Sequence, residues 1–347
     1  MDIQRRLRDG TWVPSGYRRM WVNVPKKRLI MVAPFRERVI HWSVYMILNP
    51  FFDKRFIEDS YACRTGKGMH KATDRLKYWL RQVNRRQKRY YYLKIDISKF
   101  FYRVNHDILL GILRRTIEDE ALYRLLENMV RGNGQAYGLP AGKGPTEVPA
   151  KEWLQGVGMP IGSLLSQLFA NLYLNELDQF AKHKLKIHYY IRYMDDIVVL
   201  GESKEQLKVW MDELQRFLSQ RLKLEINRKS CLRPVSMGVE FVGVRIWPTH
   251  AKIRKSTVRR IKRQTAAIAK QYKAGVIDEE RVERFVQGLS GVLKQASHGA
   301  LLWRLNQIWI KEMEPDVGKG SGNACRGHRD PGTDHTRASA ASRKIRL

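Results

Sequence analysis

Apolar positions along the chain follow two spacings. In residues 37–52, Ile40, Val44, Ile47, Leu48 and Phe51 fall on one helical face, which predicts a helix stopped near Pro50. Residues 76–89 predict a second, very basic helix, and residues 107–130 one or two more. Leu165, Leu168, Phe169 and Leu172 begin an amphipathic helix that reaches about Lys184, and residues 204–222 form another. After Lys255 the pattern is helical throughout, with one stripe of Val258, Ile261, Thr265 and Ile268 and another of Val282, Phe285, Val286, Leu289, Val292 and Leu293. Residues 21–25 and 28–32 read as a strand pair across a Pro-Lys-Lys turn, and residues 90–97 as a buried strand. The runs 187–194 and 197–200 predict a hairpin with Asp195 and Asp196 at its tip, and residues 224–227 and 239–246 two further short strands. Residues 132–158 are the clearest loop. Their stretch from Gly138 to Gly144 lacks the spacer and the Ser or Thr that a phosphate-binding loop needs. The pattern is that of an α+β chain with an all-helical C-terminal part.

Charge narrows the class. The 347 residues carry 65 Lys and Arg against 34 Asp and Glu, a formal net charge of +31 on a composition that is 43% hydrophobic and therefore globular. The length predicts two or three domains. A folded chain so basic predicts nucleic acid as partner, with an anionic membrane surface a weaker second. Residues 75–94 hold eight basic side chains and no acid, and residues 252–273 hold nine and no acid. Two such runs point to a surface that tracks phosphates. No apolar run exceeds five residues and no signal-peptide core opens the chain, so no membrane span or export is expected. Cys63, Cys231 and Cys325 are too few and too scattered for a disulfide framework, which makes a reducing compartment the expectation. From Pro315 the sequence is poor in large aliphatics and reads as a disordered tail, and the spacing of Cys325, His328 and His335 within it as chance.

The acids carry the candidate chemistry. Asp96 ends a strand that is otherwise buried, and Asp195 and Asp196 sit between two buried arms. Carboxylates at neighbouring strand ends repel unless a cation lies between them, and oxygen-only ligands suit Mg²⁺. Two such ions about 3.5–4 Å apart can clamp the attacking and leaving oxygens of a phosphoryl transfer.

At these residues the chain resembles reverse transcriptases. Tyr193-Met194-Asp195-Asp196 matches their catalytic box. Around it, in the family's order, stand Tyr61-Ala62-Cys63-Arg64-Thr65-Gly66-Lys67-Gly68, Asp96-Ile97-Ser98-Lys99-Phe100-Phe101, Gly158-Met159-Pro160-Ile161-Gly162-Ser163-Leu164-Leu165-Ser166-Gln167 and Phe241-Val242-Gly243-Val244. Group II intron and retroviral relatives usually show Gln-Gly-x-x-x-Ser-Pro in the fourth box. The form from Ile161 to Gln167 is similar to that of diversity-generating retroelements, as are residues 245–250 and 254–256 at the junction that follows. The resemblance covers residues 7 to about 312. The chain departs from it in a short N-terminal extension and a long loop at 133–156.

The resemblance implies a right-hand polymerase: fingers over 1–95, a palm of antiparallel sheet and helices over 96–247 with a loop insertion at 132–158, and a helical thumb over 248–314. It implies two Mg²⁺ ions held by Asp96, the Ile97 carbonyl and Asp195 with Asp196, and Lys229 as proton donor to leaving pyrophosphate. Arg28 and Arg64 would pair with the triphosphate, with Phe101 set against a ribose 2′-hydroxyl and Ile161 and Gln167 at the nucleotide. Ser166 would open with Gln167 the helix behind the pocket, where it reads equally as a structural hydroxyl. Arg254, Lys255, Arg259, Arg260, Lys262 and Arg263 would follow the template–product duplex through its phosphates. Implied partners are template RNA, a primer or cDNA strand, dNTPs and a small oligomeric accessory variability protein, in a bacterial or phage-encoded cytoplasmic system. The activity implied is error-prone copying of a template-repeat RNA for protein diversification. Two other readings stand beside it: a stand-alone intron-like or defence-associated reverse transcriptase, and a non-catalytic RNA-binding relative.

Overall fold

The chain begins with α1 (Asp2–Arg8) and an antiparallel hairpin of β1 (Arg18–Val22) and β2 (Arg28–Val32), in which Met20 lies opposite Ile30. The computed structural model describes residues 2–314 apart from 24–26, 87, 295 and 297. Pro25 and Lys26 of the predicted turn, and the tail with its cysteine and histidines, lie outside the described residues. Two compact units divide at Met237 and Gly238.

In the first unit α2 (Phe35–Asp53) runs past Pro50, where a stop was expected. Phe52 is fully buried, worth about 1.5–3 kcal/mol. That burial, with Arg64 clasping Asp53, offsets the roughly 3 kcal/mol that an interior proline costs. The inward row is Ile40, Val44, Leu48 and Phe52, recurring every four residues, so Ile47 and Phe51 turn outward and are exposed, contrary to the sequence reading. α3 (Met69–Arg85) buries Leu76, Trp79, Leu80 and Val83 and leaves its basic residues at the surface or half-buried. It begins earlier and ends earlier than predicted.

β3 (Tyr91–Asp96) follows, then α4 (Phe100–Arg103), α5 (His106–Arg114) and α6 (Glu120–Arg131). Side chains of Asn105 and Asp119 cap α5 and α6 by accepting the amides of Ile108 and Leu122. The predicted loop is a folded wing. Gly138 and Leu154 pair through both backbone bonds, and Tyr137, Leu139, Val148 and Trp153 bury themselves with Leu29, Met31 and Tyr102. α7 (Leu164–Gln179) continues as a π-turn to Lys184 and leads into β4 (Tyr190–Tyr193), β5 (Asp196–Gly201), α8 (Lys204–Arg221) and β6 (Cys231–Pro234). The sheet order is β4-β5-β3-β6, antiparallel throughout. Residues 224–227, predicted as a strand, make only one bridge, Ile226 with Ile97. The core of this unit lies between that sheet and its helices, with Leu93, Ile95, Ile197 and Val199 meeting Leu109, Leu113, Phe169, Leu174 and Leu214.

The second unit opens on a three-stranded sheet, β7 (Val239–Phe241), β8 (Val244–Ile246) and β9 (Ala251–Ile253). The predicted single strand over 239–246 folds back at Val242 and Gly243, whose φ values of 40° and 89° are both left-handed, as a two-residue hairpin turn of this kind needs. α9 (Lys255–Lys273), α10 (Glu279–Leu293) and α11 (Gly299–Met313) then pack through Ile261, Ala269, Leu289, Leu293, Leu305 and Trp309, as the two predicted stripes require.

Candidate active site

Strand register brings the acids together. β3 pairs with β5 so that Asp96 stands directly opposite Asp196, and cross-strand partners share a face of the sheet. β4 pairs with β5 through Tyr193 and Asp196, which leaves Met194 and Asp195 as the two-residue turn. Met194 has φ 53°, the left-handed region that a tight hairpin demands. The Ile97 amide donates to the Asp195 carbonyl at 3.3 Å and fastens the turn to the end of β3.

The carboxylates differ in environment. Asp196 is turned toward Lys94, whose Nζ lies 3.3 Å from it. Burial raises the Asp195 carboxyl, and the charges of Asp96 and Asp196 raise it further, to about 6; its own amide and Arg28 pull the other way. Among the described residues no three His, Cys, Asp or Glu side chains form a cage that could hold a metal ion. Lys94 engages the Asp196 carboxylate at the edge of this acidic group. What remains is an all-oxygen pair, Asp96 and Asp195, whose mutual repulsion a hard divalent cation would relieve, and to that the residues fit.

The sign of this shift gives a prediction. A carboxyl that keeps its proton to about 6 when folded, against 3.8 ordinarily, binds more protons folded than unfolded between those values. It therefore costs stability as pH rises through that window, on the order of 3 kcal/mol at neutral pH. In chelator, wild type should melt below Asp195→Asn at pH 7, and the gap should close toward pH 4. Thermal scans across that range check it, and a gap independent of pH counts against the assignment.

Around the acids, the turn at 227–230 grips Asp96 from both sides. The Asn227 amide donates to the Asp96 carbonyl at 2.7 Å, and the Asp96 amide donates to Ser230 Oγ at 3.1 Å. Lys229 rides on this turn, its amide bonded to Asn227 Oδ1, and is exposed. Arg28 opens β2, is exposed, and lies near enough to Asp195 and Tyr102 to lower the pKa of each. The Ile161 carbonyl accepts the Met31 amide at 2.8 Å, and its side chain packs on the cluster of Leu29, Met31 and Tyr102. Gly162 beside it has φ 111°, and a Cβ there would come within 2.8 Å of Ile30 Cγ2, so only glycine fits. Phe101 is half-buried, with its carbonyl bonded to the Met159 amide, and Ser166 and Gln167 lie in the first turn of α7, buried and half-buried.

Arg64 does not join them. All five of its N–H donors are committed: Nε and Nη2 to the Asp53 carboxylate, Nη2 to the Asp53 carbonyl, and Nη1 to the Ile57 and Ser60 carbonyls. The expected triphosphate contact is corrected to a structural clasp. In the second unit, Arg254 forms an ion pair with Glu240 at 2.5 Å, whereas Lys255, Arg259 and Arg263 are exposed and Arg260 and Lys262 half-buried along α9.

Sequence reasoning missed Arg192. It sits in β4, fully buried with Asp178, and bonds Asp178 through Nε and Nη2, Ser60 Oγ through Nη2, and both Asn171 Oδ1 and the Met194 carbonyl through Nη1. Tyr190 donates to the same Asp178 carboxylate at 2.8 Å. The available signal was an arginine inside the apolar run 187–194.

Comparison with known proteins bears on this arrangement. The profile of the family described as reverse transcriptase (RNA-dependent DNA polymerase) matches residues 22–246. The chain is 25% identical over 279 residues to Protein YkfC of Escherichia coli (strain K12), covering 70% of each. It is 23% identical over 329 residues to the group II intron-encoded protein LtrA of Lactococcus lactis subsp. cremoris, covering 74% of this chain and 50% of that one. The chain thus spans about half the length of that intron protein. In structure it is similar to telomerase from Candida tropicalis in complex with a TWJ fragment of telomeric RNA, with a TM-score of 0.52, 13% identity, and coverage of 85% of this chain and 58% of that one. That likeness supports the right-hand polymerase architecture.

Proposed function

The chain belongs to the reverse transcriptase family, and from that premise we propose that it is an RNA-directed DNA polymerase. The observation that carries the reading is the β3–β5 register, which sets Asp96 beside a turn whose Asp195 feels its charge. Asp96, the Ile97 carbonyl and Asp195 would hold two Mg²⁺ ions, with Asp196 oriented by Lys94 at their edge. When bound, these ions stabilise the charge that develops on the attacking and leaving oxygens of phosphoryl transfer.

The chain's own residues do the rest. Arg28 orients the triphosphate from the exposed end of β2. Lys229, carried on the turn that grips Asp96, gives a proton to the departing pyrophosphate. Phe101 excludes a 2′-hydroxyl by its bulk. Fingers over 1–95, a palm over 96–247 and a thumb over 248–314 would each contact template RNA or the growing strand. Primer extension on an RNA template with dNTPs and Mg²⁺ tests the reading directly; a folded chain that binds template and extends nothing is the outcome expected of an RNA-binding relative.

Along α9, Arg259, Lys262 and Arg263 would follow the backbone of the duplex. Changing these three to Gln should lower the log–log salt slope of template–primer binding by about 0.7–0.9 for each phosphate that is no longer neutralised. Filter binding over a salt series measures it, and an unchanged slope means that the face meets solvent.

The finer reading is a mutagenic enzyme of a diversity-generating retroelement, working with a small accessory protein, and it is supported by the box from Ile161 to Gln167. An aliphatic side chain at Ile161 gives the pocket shape but no directional hydrogen bond, and apolar contacts discriminate by only about 1–3 kcal/mol. Ile161→Gln should therefore lower misincorporation opposite template adenine more than opposite the other bases. Similarity to the intron-encoded LtrA favours a second reading, an intron-like enzyme. Sequenced cDNA separates them, since an intron-like enzyme would give the same error spectrum in wild type and in Ile161→Gln.

A further inference from the structure

Arg192 spends more donors than charge balance asks for. Asp178 alone would neutralise it, yet one guanidinium nitrogen goes to Asn171 and to the carbonyl of Met194, the left-handed residue of the turn that presents Asp195. The anchor is itself held on two sides. Its amide donates to the Asp59 carbonyl at 2.9 Å and its carbonyl accepts from the Tyr61 amide at 3.0 Å, while Asn171 donates to the Ala62 carbonyl at 2.8 Å. Arg192 thus ties α7 and the segment 59–62 to the turn. The hairpin favours a left-handed Met194, but a residue other than glycine adopts that conformation at a cost. Besides the Ile97 amide on Asp195, the bond from Arg192 is the contact that holds this residue's own carbonyl.

We propose that Arg192 is a positioning residue, fixed by Asp178 and Asn171, that holds the Met194 carbonyl so that Asp195 stays set beside Asp96. The activity readout rests on the polymerase reading; the exchange readout does not.

Arg192→Met alone would strand a buried Asp178 and can unfold the chain, so the test uses the double variant Arg192→Met with Asp178→Leu, which replaces both charges by apolar groups. Replacing the ion pair itself is close to neutral, so the fold should lose only what the hydrogen bonds of Tyr190, Ser60 and Asn171 to the pair contribute. Hydrogen exchange of the amides over 190–197 should quicken by about tenfold or more while the other strands of the sheet keep their protection. With dNTPs, kcat should fall by about thirtyfold or more, with template–primer affinity and the KM for dNTP each changed by less than about threefold. Arg192→Lys, which keeps the charge but not the planar fork, should fall between the two.

A folded double variant with wild-type exchange at the turn and wild-type kcat overturns the proposal. So does a double variant that cannot fold, because the pair would then serve the fold itself. A wild-type protein that extends no primer would refute the polymerase reading instead, and the exchange measurement would still decide for or against Arg192.

Discussion

Replacing Asp195 with Asn is expected to leave primer extension below about one per cent of wild type, a loss of roughly 3 kcal/mol or more of transition-state stabilisation. The same change should make the metal-free chain melt higher at pH 7. Asp195 is raised to about 6 by burial and by its acidic neighbours, so at neutral pH its charge is held against the fold's preference. RNA binding should survive, since one charge is small beside the formal +31 of the chain. Extension assays, thermal scans in chelator and filter binding on one preparation measure all three. A variant that extends primers at more than about one per cent of wild type, or that melts below it, would remove Asp195 from the centre of the chemistry.

The second large effect falls on stability. Arg64→Met should destabilise the chain by about 2–4 kcal/mol, somewhat below the roughly 3–5 kcal/mol for breaking a fully buried pair because Asp53 is one-third exposed and can reach water. The Asp53 carboxylate and three carbonyls lose a donor at once, although the Asp53 and Ile57 carbonyls keep the amides of Phe56 and Ser60. The KM for dNTP of the folded fraction should not move. Urea titration with steady-state kinetics distinguishes the roles, because a residue that met the triphosphate would raise KM with little change in stability.

Arg64 also marks where reading the sequence stopped short. The box that contains it identified the residue but not its direction, which follows from Asp53 and from the Ile57 and Ser60 carbonyls that converge on it. The acidic centre was legible because Asp96 ends a buried strand and Asp195 and Asp196 sit between two apolar runs. The β4–β5 hairpin could be read from its tight turn, whereas the pairing of β3 with β5 joins strands far apart in sequence and could not. The wing over 132–158 was not. Its glycines and prolines read as loop, while Tyr137, Leu139, Val148 and Trp153 are too widely spaced to reveal that they share one small core. The helix that crosses Pro50 escaped for a similar reason, since the burial of Phe52 that carries it is a tertiary fact. Arg192 was visible as an anomaly, but its partners come from α7 and the segment before Tyr61, far from it in sequence.

The buried run of β5 has a consequence for how the site is specified. Ile197, Val198, Val199 and Leu200 are all buried, on both faces of the sheet, so alternation of apolar and polar residues does not tell the strand which neighbour to choose. Slipping by one position would cost little in apolar burial, yet it would put Ile197 or Asp195 opposite Asp96. The choice falls to the bond from the Ile97 amide to the Asp195 carbonyl and to the pairing of Lys94 with Asp196, while the two-residue turn at Met194 and Asp195 fixes β5 against β4. A single alanine inserted after Met194 would therefore yield a chain that still folds and still binds RNA, with its acids out of phase.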